Sequence, residues 1–111
     1  MQEPAFLVLT ALAGEPMHGY GLVQDVIRIS EGRVRLHTGT LYAVLDRLRE
    51  AGLIEIDHEE IVESRLRRYY AITEVGAERL AAEAERMRRN ASAATRRLRE
   101  LGALRPQTGT L

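Results

Sequence analysis

Hydroxyls and guanidinium groups at helical spacing are what this 111-residue chain offers for chemistry. Between Thr38 and Ile54, Thr40, Ala43, Arg47 and Glu50 recur on one side of a helical repeat, with Thr38, Gly39 and Tyr42 in its first turn. Small hydrogen-bonding residues at a helix start, followed one turn later by arginine, suit a helix that enters a nucleic-acid groove N-terminus first. Such side chains reach base edges, and free backbone N–H groups at the same end receive a phosphate. Catalytic groupings are missing. His18, His37 and His58 have no metal-ligand spacing, no cysteine accompanies them, and no Ser/His/Asp set or phosphate loop occurs. The expectation is therefore a binding protein, with no enzymatic activity, cofactor or metal.

All sixteen basic residues are arginine, balanced by sixteen acids to a net charge of zero. Arginine grips phosphate oxygens and guanine edges bidentately. An even balance argues against indiscriminate nucleic-acid binding. It allows specific binding only where the fold segregates the arginines, because between Arg28 and Ile72 eight arginines are matched by eight acids. With no cysteine and no apolar run approaching the ~20 residues of a membrane span, the chain reads as soluble and cytoplasmic, with no membrane partner.

The elements that must position these groups follow from periodicity. Leu41, Val44, Leu45, Leu48 and Ala51 form the apolar stripe of a helix, with Thr38 as its expected N-cap and Gly52 just past its end. Residues 2–13, with Pro4 at the start and Phe6, Leu7, Leu9, Ala11 and Leu12 around the circumference, read as a helix buried on several sides. Residues 18–30 read as a second helix, with Leu22, Val23, Val26, Ile27 and Ile29 on its apolar side. After Gly52 the period changes from 3.6 to 2. Residues 53–57 and 67–72 read as strands, joined by a charged loop over 58–66. On a strand, Arg65 and Arg67 share one face and Arg68 takes the other, and at least one of them is expected on backbone phosphate.

From Ala77, the apolar residues Leu80, Ala84, Met87, Ala91, Ala94, Leu98 and Leu101 follow at steps of three and four. This heptad seam is too long to bury on a three-helix domain and asks for a partner helix, with Phe6 of the apolar first helix contributing to the same interface. Residues 102–111 have no periodicity and read as a flexible tail.

Three segments in order, His18-Gly-Tyr-Gly-Leu22, Thr38 to Ile54 and Arg65 to Gly76, make the chain similar to the PadR family of bacterial transcriptional regulators. The resemblance covers residues 4 to about 100 and points to the family's short branch, in which one C-terminal helix dimerises. It implies a winged-helix homodimer that binds a palindromic operator, usually as a repressor. It also implies that the Gly39-Thr40-Leu41-Tyr42 turn faces DNA and that the arginines before Tyr69-Tyr70 form the wing's basic strand. Gly21, Ser64 and Leu66 depart from the family pattern, the last two where Gly and Pro are frequent around the wing arginine, which implies a differently shaped wing. The response of some members to flat aromatic drugs uses tryptophans that this chain lacks, so that response does not carry over and a possible small-molecule effector is left unidentified.

The expected fold is mainly α with a small β-hairpin. Residues 1–72 form a winged helix-turn-helix, 73–101 a dimerisation helix and 102–111 the tail. Thr40, Tyr42 and Arg47 are expected to read the major groove of double-stranded DNA, with Thr38 and Gly39 at the helix start and Arg65, Arg67 and Arg68 on the wing. Leu80, Ala84, Met87, Ala91, Ala94, Leu98 and Leu101 are expected to join two protomers. The even charge also permits a second reading, a winged-helix module that dimerises and binds protein rather than DNA.

Overall fold

Proline in the first turn needs no N–H partner, and α1 (Glu3–Gly14) starts on Glu3-Pro4. In the computed structural model of the protein, which describes residues 1–102, six elements follow it. They are β1 (Met17–His18), α2 (Gly19–Ile29), α3 (Thr38–Glu50), β2 (Ile54–Val62), β3 (Arg65–Ile72) and α4 (Glu74–Leu101). The expected tail beyond Gly102 lies outside the described residues. Among the described residues, no helix is long and apolar enough to cross a membrane.

Two compact units divide the chain, Met1–Ala81 and Ala82–Leu111, so the first two turns of α4 belong to the first unit. Its core is aliphatic. Leu7, Val8, Leu9, Ala11 and Leu12 of α1 are all buried, which shows that α1 is covered on more than one side within the protomer. Leu22 and Val26 of α2 meet Leu41, Val44, Leu45 and Leu48 of α3, each at most 5% exposed. The expected stripe of α3 stops there: Ala51 is exposed because it lies past the last helical turn. Ile29 of α2, expected on the apolar side, is also exposed. Residues 33–37 form no strand. They are an extended connector, anchored where the Val34 N–H donates to the buried Ser30 hydroxyl at 2.9 Å.

Of the two expected ends of α3, the start moves by one residue and the close on Gly52 holds. His37, not Thr38, is the N-cap of α3, and it makes no side-chain cap bond; Thr38 is already helical. At the other end, Gly52 (φ +76) donates to Arg49 O at 2.9 Å and Leu53 donates to Leu48 O at 2.9 Å. This bond pair is the Schellman closure, which needs the left-handed residue that glycine supplies.

The sheet has three strands in the order β1-β3-β2, all antiparallel. The two-residue strand Met17–His18 is too short to show in the sequence pattern. Met17, Tyr70 and Ile56 form one cross-sheet row toward the core, while His18, Tyr69 and His58 form the next row on the opposite face. A bulge at Asp57 separates the two rows on β2. Without that extra residue Asp57 would oppose Tyr69, and His58 would turn to the core side.

The hairpin also corrects the expected charged loop. Strands run to Val62 and from Arg65, leaving only Glu63-Ser64 as the turn. Both have positive φ, 53° and 65°, the pattern of a two-residue type I′ turn. Neither residue favours that conformation, so Glu63→Asn with Ser64→Gly should stabilise the first unit by ~1 kcal/mol. Urea unfolding followed by circular dichroism checks this, and unchanged stability would mean that the turn carries no strain.

Thr73 caps α4, accepting the Gly76 N–H on Oγ1 at 3.0 Å. The same hydroxyl donates to Gly52 O at 2.7 Å, and the Thr73 N–H donates to Leu53 O at 3.0 Å. The end of α3 and the start of α4 are thereby bonded at one point. Leu80 is half-buried against the core of the first unit, and so is Phe6. In the second unit, the helix continues to Leu101 and closes on Gly102 (φ +91), whose N–H donates to Arg99 O. Glu83 pairs with Arg86 at 2.6 Å, and Glu85 pairs with Arg88 at 2.6 Å and Arg89 at 3.3 Å.

Candidate nucleic-acid interface

Burial splits α3 cleanly. Thr38, Gly39, Thr40, Tyr42, Ala43 and Arg47 are exposed, while Leu41, Val44, Leu45 and Leu48 hold the helix on the core. No acid stands in the first turn and no side chain caps it. The first N–H groups of α3 thus keep their donor capacity for an external acceptor.

Tyr42 is 43% exposed, and its phenol lies across the start of α2. Gly19 makes room for it: a Cβ there would stand 2.7 Å from the Tyr42 hydroxyl. Opposite, the wing supplies Arg65, Leu66, Arg67 and Arg68, and the cleft between wing and helices measures about 490 Å³. Tyr42 and the three wing arginines are brought together in this cleft. Arg47 and Thr40 do not line it; they lie further round the exposed side of α3. A second cleft of about 380 Å³ joins Thr38 to Tyr42 by way of Tyr20 and His37.

Tyr20 lines both clefts and is 71% exposed. The sequence pattern did not single it out. Its only local sign is its place between Gly19 and Gly21 at a helix start, which reads as easily as packing.

The wing arginines differ in their engagement. Arg68 donates to Glu59 at 2.8 Å across the strands, and that bond raises its pKa further above the usual guanidinium value. Arg67 is half-buried opposite Glu60, and Arg65 is exposed. Three acids of the wing are answered within the hairpin, while Glu63 at the turn lines the cleft. Glu59 is held by Arg68, Asp57 by His58 Nδ1 at 2.6 Å, and Glu60 lies 3.9 Å from His58 Nε2. Only the Glu59–Arg68 pair crosses the strands, and that pairing is what the linear charge sequence cannot display.

His18 links the wing to α2. Its Nδ1 accepts the Gly21 N–H at 3.3 Å as N-cap of α2, and its ring meets Tyr69 edge-on at 5.2 Å. His58 stacks on Tyr69 at 4.3 Å. Burial holds the His18 pKa below its usual 6.5, Arg67 lowers it further, and Glu60 opposes them. The folded chain therefore binds this proton more weakly than the unfolded chain. The contribution is complete above pH 6.5 and is lost as pH falls below it, where Nδ1–H can no longer accept. Thermal unfolding between roughly pH 7.5 and pH 5.5 should show that decline, flattened in His18→Asn, which keeps a cap acceptor. Equal pH slopes in both proteins would exclude His18 as the source.

Among the described residues, no group of three or more His, Cys, Asp or Glu side chains is placed to hold a metal ion. The arrangement offers donors and aromatic surfaces around an open cleft, the equipment of a binding face.

The family model for the transcriptional regulator PadR-like family matches residues 8–82. The transcriptional regulator YqjI of Escherichia coli is 32% identical over 76 residues, covering 68% of this chain and 35% of its own. The chain thus spans about a third of the length of that relative. A PadR family transcription regulator from Clostridium difficile shares the fold with a TM-score of 0.73 at 22% identity, over 86% of this chain and 97% of that one. Bacillus subtilis PadR, solved in complex with operator DNA, gives a TM-score of 0.64 at 17% identity, over 72% of this chain and 46% of its own.

Proposed function

The chain belongs to the PadR-like family of transcriptional regulators, and from that premise we propose that it works as a homodimeric repressor on a palindromic operator. The observation that carries the DNA contact is the exposed, uncapped first turn of α3 standing beside a cleft lined by Tyr42 and the wing arginines. In this reading Thr40, Tyr42 and Arg47 reach base edges in the major groove. Backbone N–H groups at Thr38 and Gly39, with Arg65 and Arg67, hold phosphate. The operator complex of Bacillus subtilis PadR supports this reading by its shared fold. Its role is recognition rather than catalysis, and acting on DNA puts it in the cytoplasm.

The seam of α4 supplies the second half of the proposal. Ala84, Met87, Ala91, Ala94, Leu98 and Leu101 are all exposed within the protomer. A second copy of α4 covers them, with Phe6 and Leu80 bordering the contact from the first unit. Two-fold symmetry then presents two recognition helices to half-sites about 10 bp apart, or a multiple of that.

The test is selection of binding sites from random duplex DNA by the purified protein, followed by titration of salt. A palindromic motif whose affinity falls steeply with salt is the expected result, since each neutralised phosphate releases counterions. No enrichment at low salt would refute DNA binding and favour a protein-binding module.

A further inference from the structure

The cleft between wing and helices is lined by His18, Tyr20, Tyr42, Glu63, Arg65, Arg67 and Arg68. Of these side chains, His18 is the one whose charge ordinarily changes near neutral pH. Its bonding fixes the neutral form in the free chain. Nδ1 accepts the Gly21 N–H at 3.3 Å, which only an unprotonated nitrogen can do, so the ring proton sits on Nε2. Charged and titratable groups face the ring from every side. β3 supplies Arg67 and the ring of Tyr69, and β2 supplies Glu60, with Asp57 and His58 bonded to each other beyond Tyr69. A further cleft of about 270 Å³ on the α2 side adds Glu15, Asp25 and Arg28, the last two paired at 2.6 Å. Burial and Arg67 hold the proton off His18, and Glu60 alone pulls for it.

A phosphate in the cleft reverses that balance. It offsets the Arg67 guanidinium and the positive end of α2, both of which repel an imidazolium. It also gives the imidazolium an acceptor. The exchange gives up one neutral bond, long at 3.3 Å, at a helix start where Gly19 and Gly21 let the backbone adjust. In return comes a charge-assisted bond, roughly twice as strong as a neutral one. We infer that His18 takes up a proton as phosphate enters this cleft, so that operator binding tightens as pH falls. The coupling is reciprocal: whatever factor the phosphate adds to proton affinity, the proton adds to phosphate affinity. This rests on the DNA reading above and makes the same cleft responsive to pH. His58 has no such part, because Asp57 holds its Nδ1 and it lies outside the cleft lining.

The experiment uses the full chain and the duplex recovered by site selection. Titration calorimetry near pH 6.5, in buffers of different ionisation enthalpy, counts the protons taken up on binding. Wild type should take up as much as about one proton per protomer, and its affinity should rise about tenfold from roughly pH 7.5 to pH 5.5. His18→Asn keeps a cap acceptor, and circular dichroism verifies its fold. It should lose the uptake and flatten the rise, whereas His58→Gln should keep both. The ring-proton resonance of His18 needs no variant: its titration in wild type should move to higher pH when the duplex is bound. Equal uptake in wild type and His18→Asn, no uptake as wild type binds, or an unmoved His18 titration would overturn the inference while leaving DNA binding intact. Failure of the wild type to select any duplex would overturn both.

Discussion

Gly76→Ala should unfold the first unit well below the melting temperature of the wild type. In an ordinary helix this substitution gains up to ~1 kcal/mol, since alanine loses less backbone freedom than glycine. Here the sign reverses. Gly76 is buried in the first turn of α4, where a Cβ would overlap the Leu53 carbonyl oxygen and stand 2.9 Å from Ile72 Cγ1. The obstacle is backbone, so no rotamer change relieves it. Moving Leu53 away costs its carbonyl the 3.0 Å bond from the Thr73 N–H and disturbs the Leu53-to-Leu48 closure of α3. Overpacking of this kind costs ~3 kcal/mol or more, on the order of 10–20 °C in a domain of this size. Gly39→Ala, with open space around it in α3, is the control and should be neutral or slightly stabilising. A Gly76→Ala protein that melts with the wild type would mean that the junction is looser than its geometry.

Leu98→Glu should abolish the dimer and much of the operator affinity with it. Leu98 is 41% exposed in the protomer, on the seam that carries Met87 at 46% and Leu101 at 79%. The alanines at 84, 91 and 94 let a partner helix approach closely, so a carboxylate at 98 would be desolvated between helices with no room to escape. Light scattering should report monomers. Operator affinity should fall ~100-fold or more, because two linked half-site contacts become one. Leu98→Met, which keeps the volume, should remain dimeric. Dimers of unchanged strength in Leu98→Glu would mean that another surface joins the protomers.

The helical frame was legible because its signals are repetitive. Leu41, Val44, Leu45 and Leu48 repeat the same face, and one exception does not hide the period. Single-residue events were not legible. The bulge at Asp57 breaks the alternation that starts at Leu53, so residues 58–62 read as loop although they continue β2. The turn at Glu63-Ser64 escaped notice because neither residue announces a positive φ. His37 took the cap position from Thr38, since capping depends on where the chain enters the helix rather than on side-chain suitability alone. At the interface, the exposed face of α3 followed from its buried face. Tyr20 and the Glu59–Arg68 pair did not follow, because both depend on elements distant in sequence coming together.

The bonds from Thr73 to Gly52 and Leu53 close residues 54–72 into a loop that leaves the helical frame and returns to the same point. The path from α3 to α4 bypasses the hairpin altogether. Changes at the far end of the hairpin therefore leave the frame's own connection undisturbed. The far part of the wing is an exchangeable part: a tip of different length or chemistry can be grafted between Glu59 and Arg68 while Ile54, Ile56, Tyr70 and Ile72 stay on the core and α3 and the start of α4 stay in register. A change at the hairpin tip and a change on the exposed face of α3 are thus mechanically separate, and neither has to pass through the core.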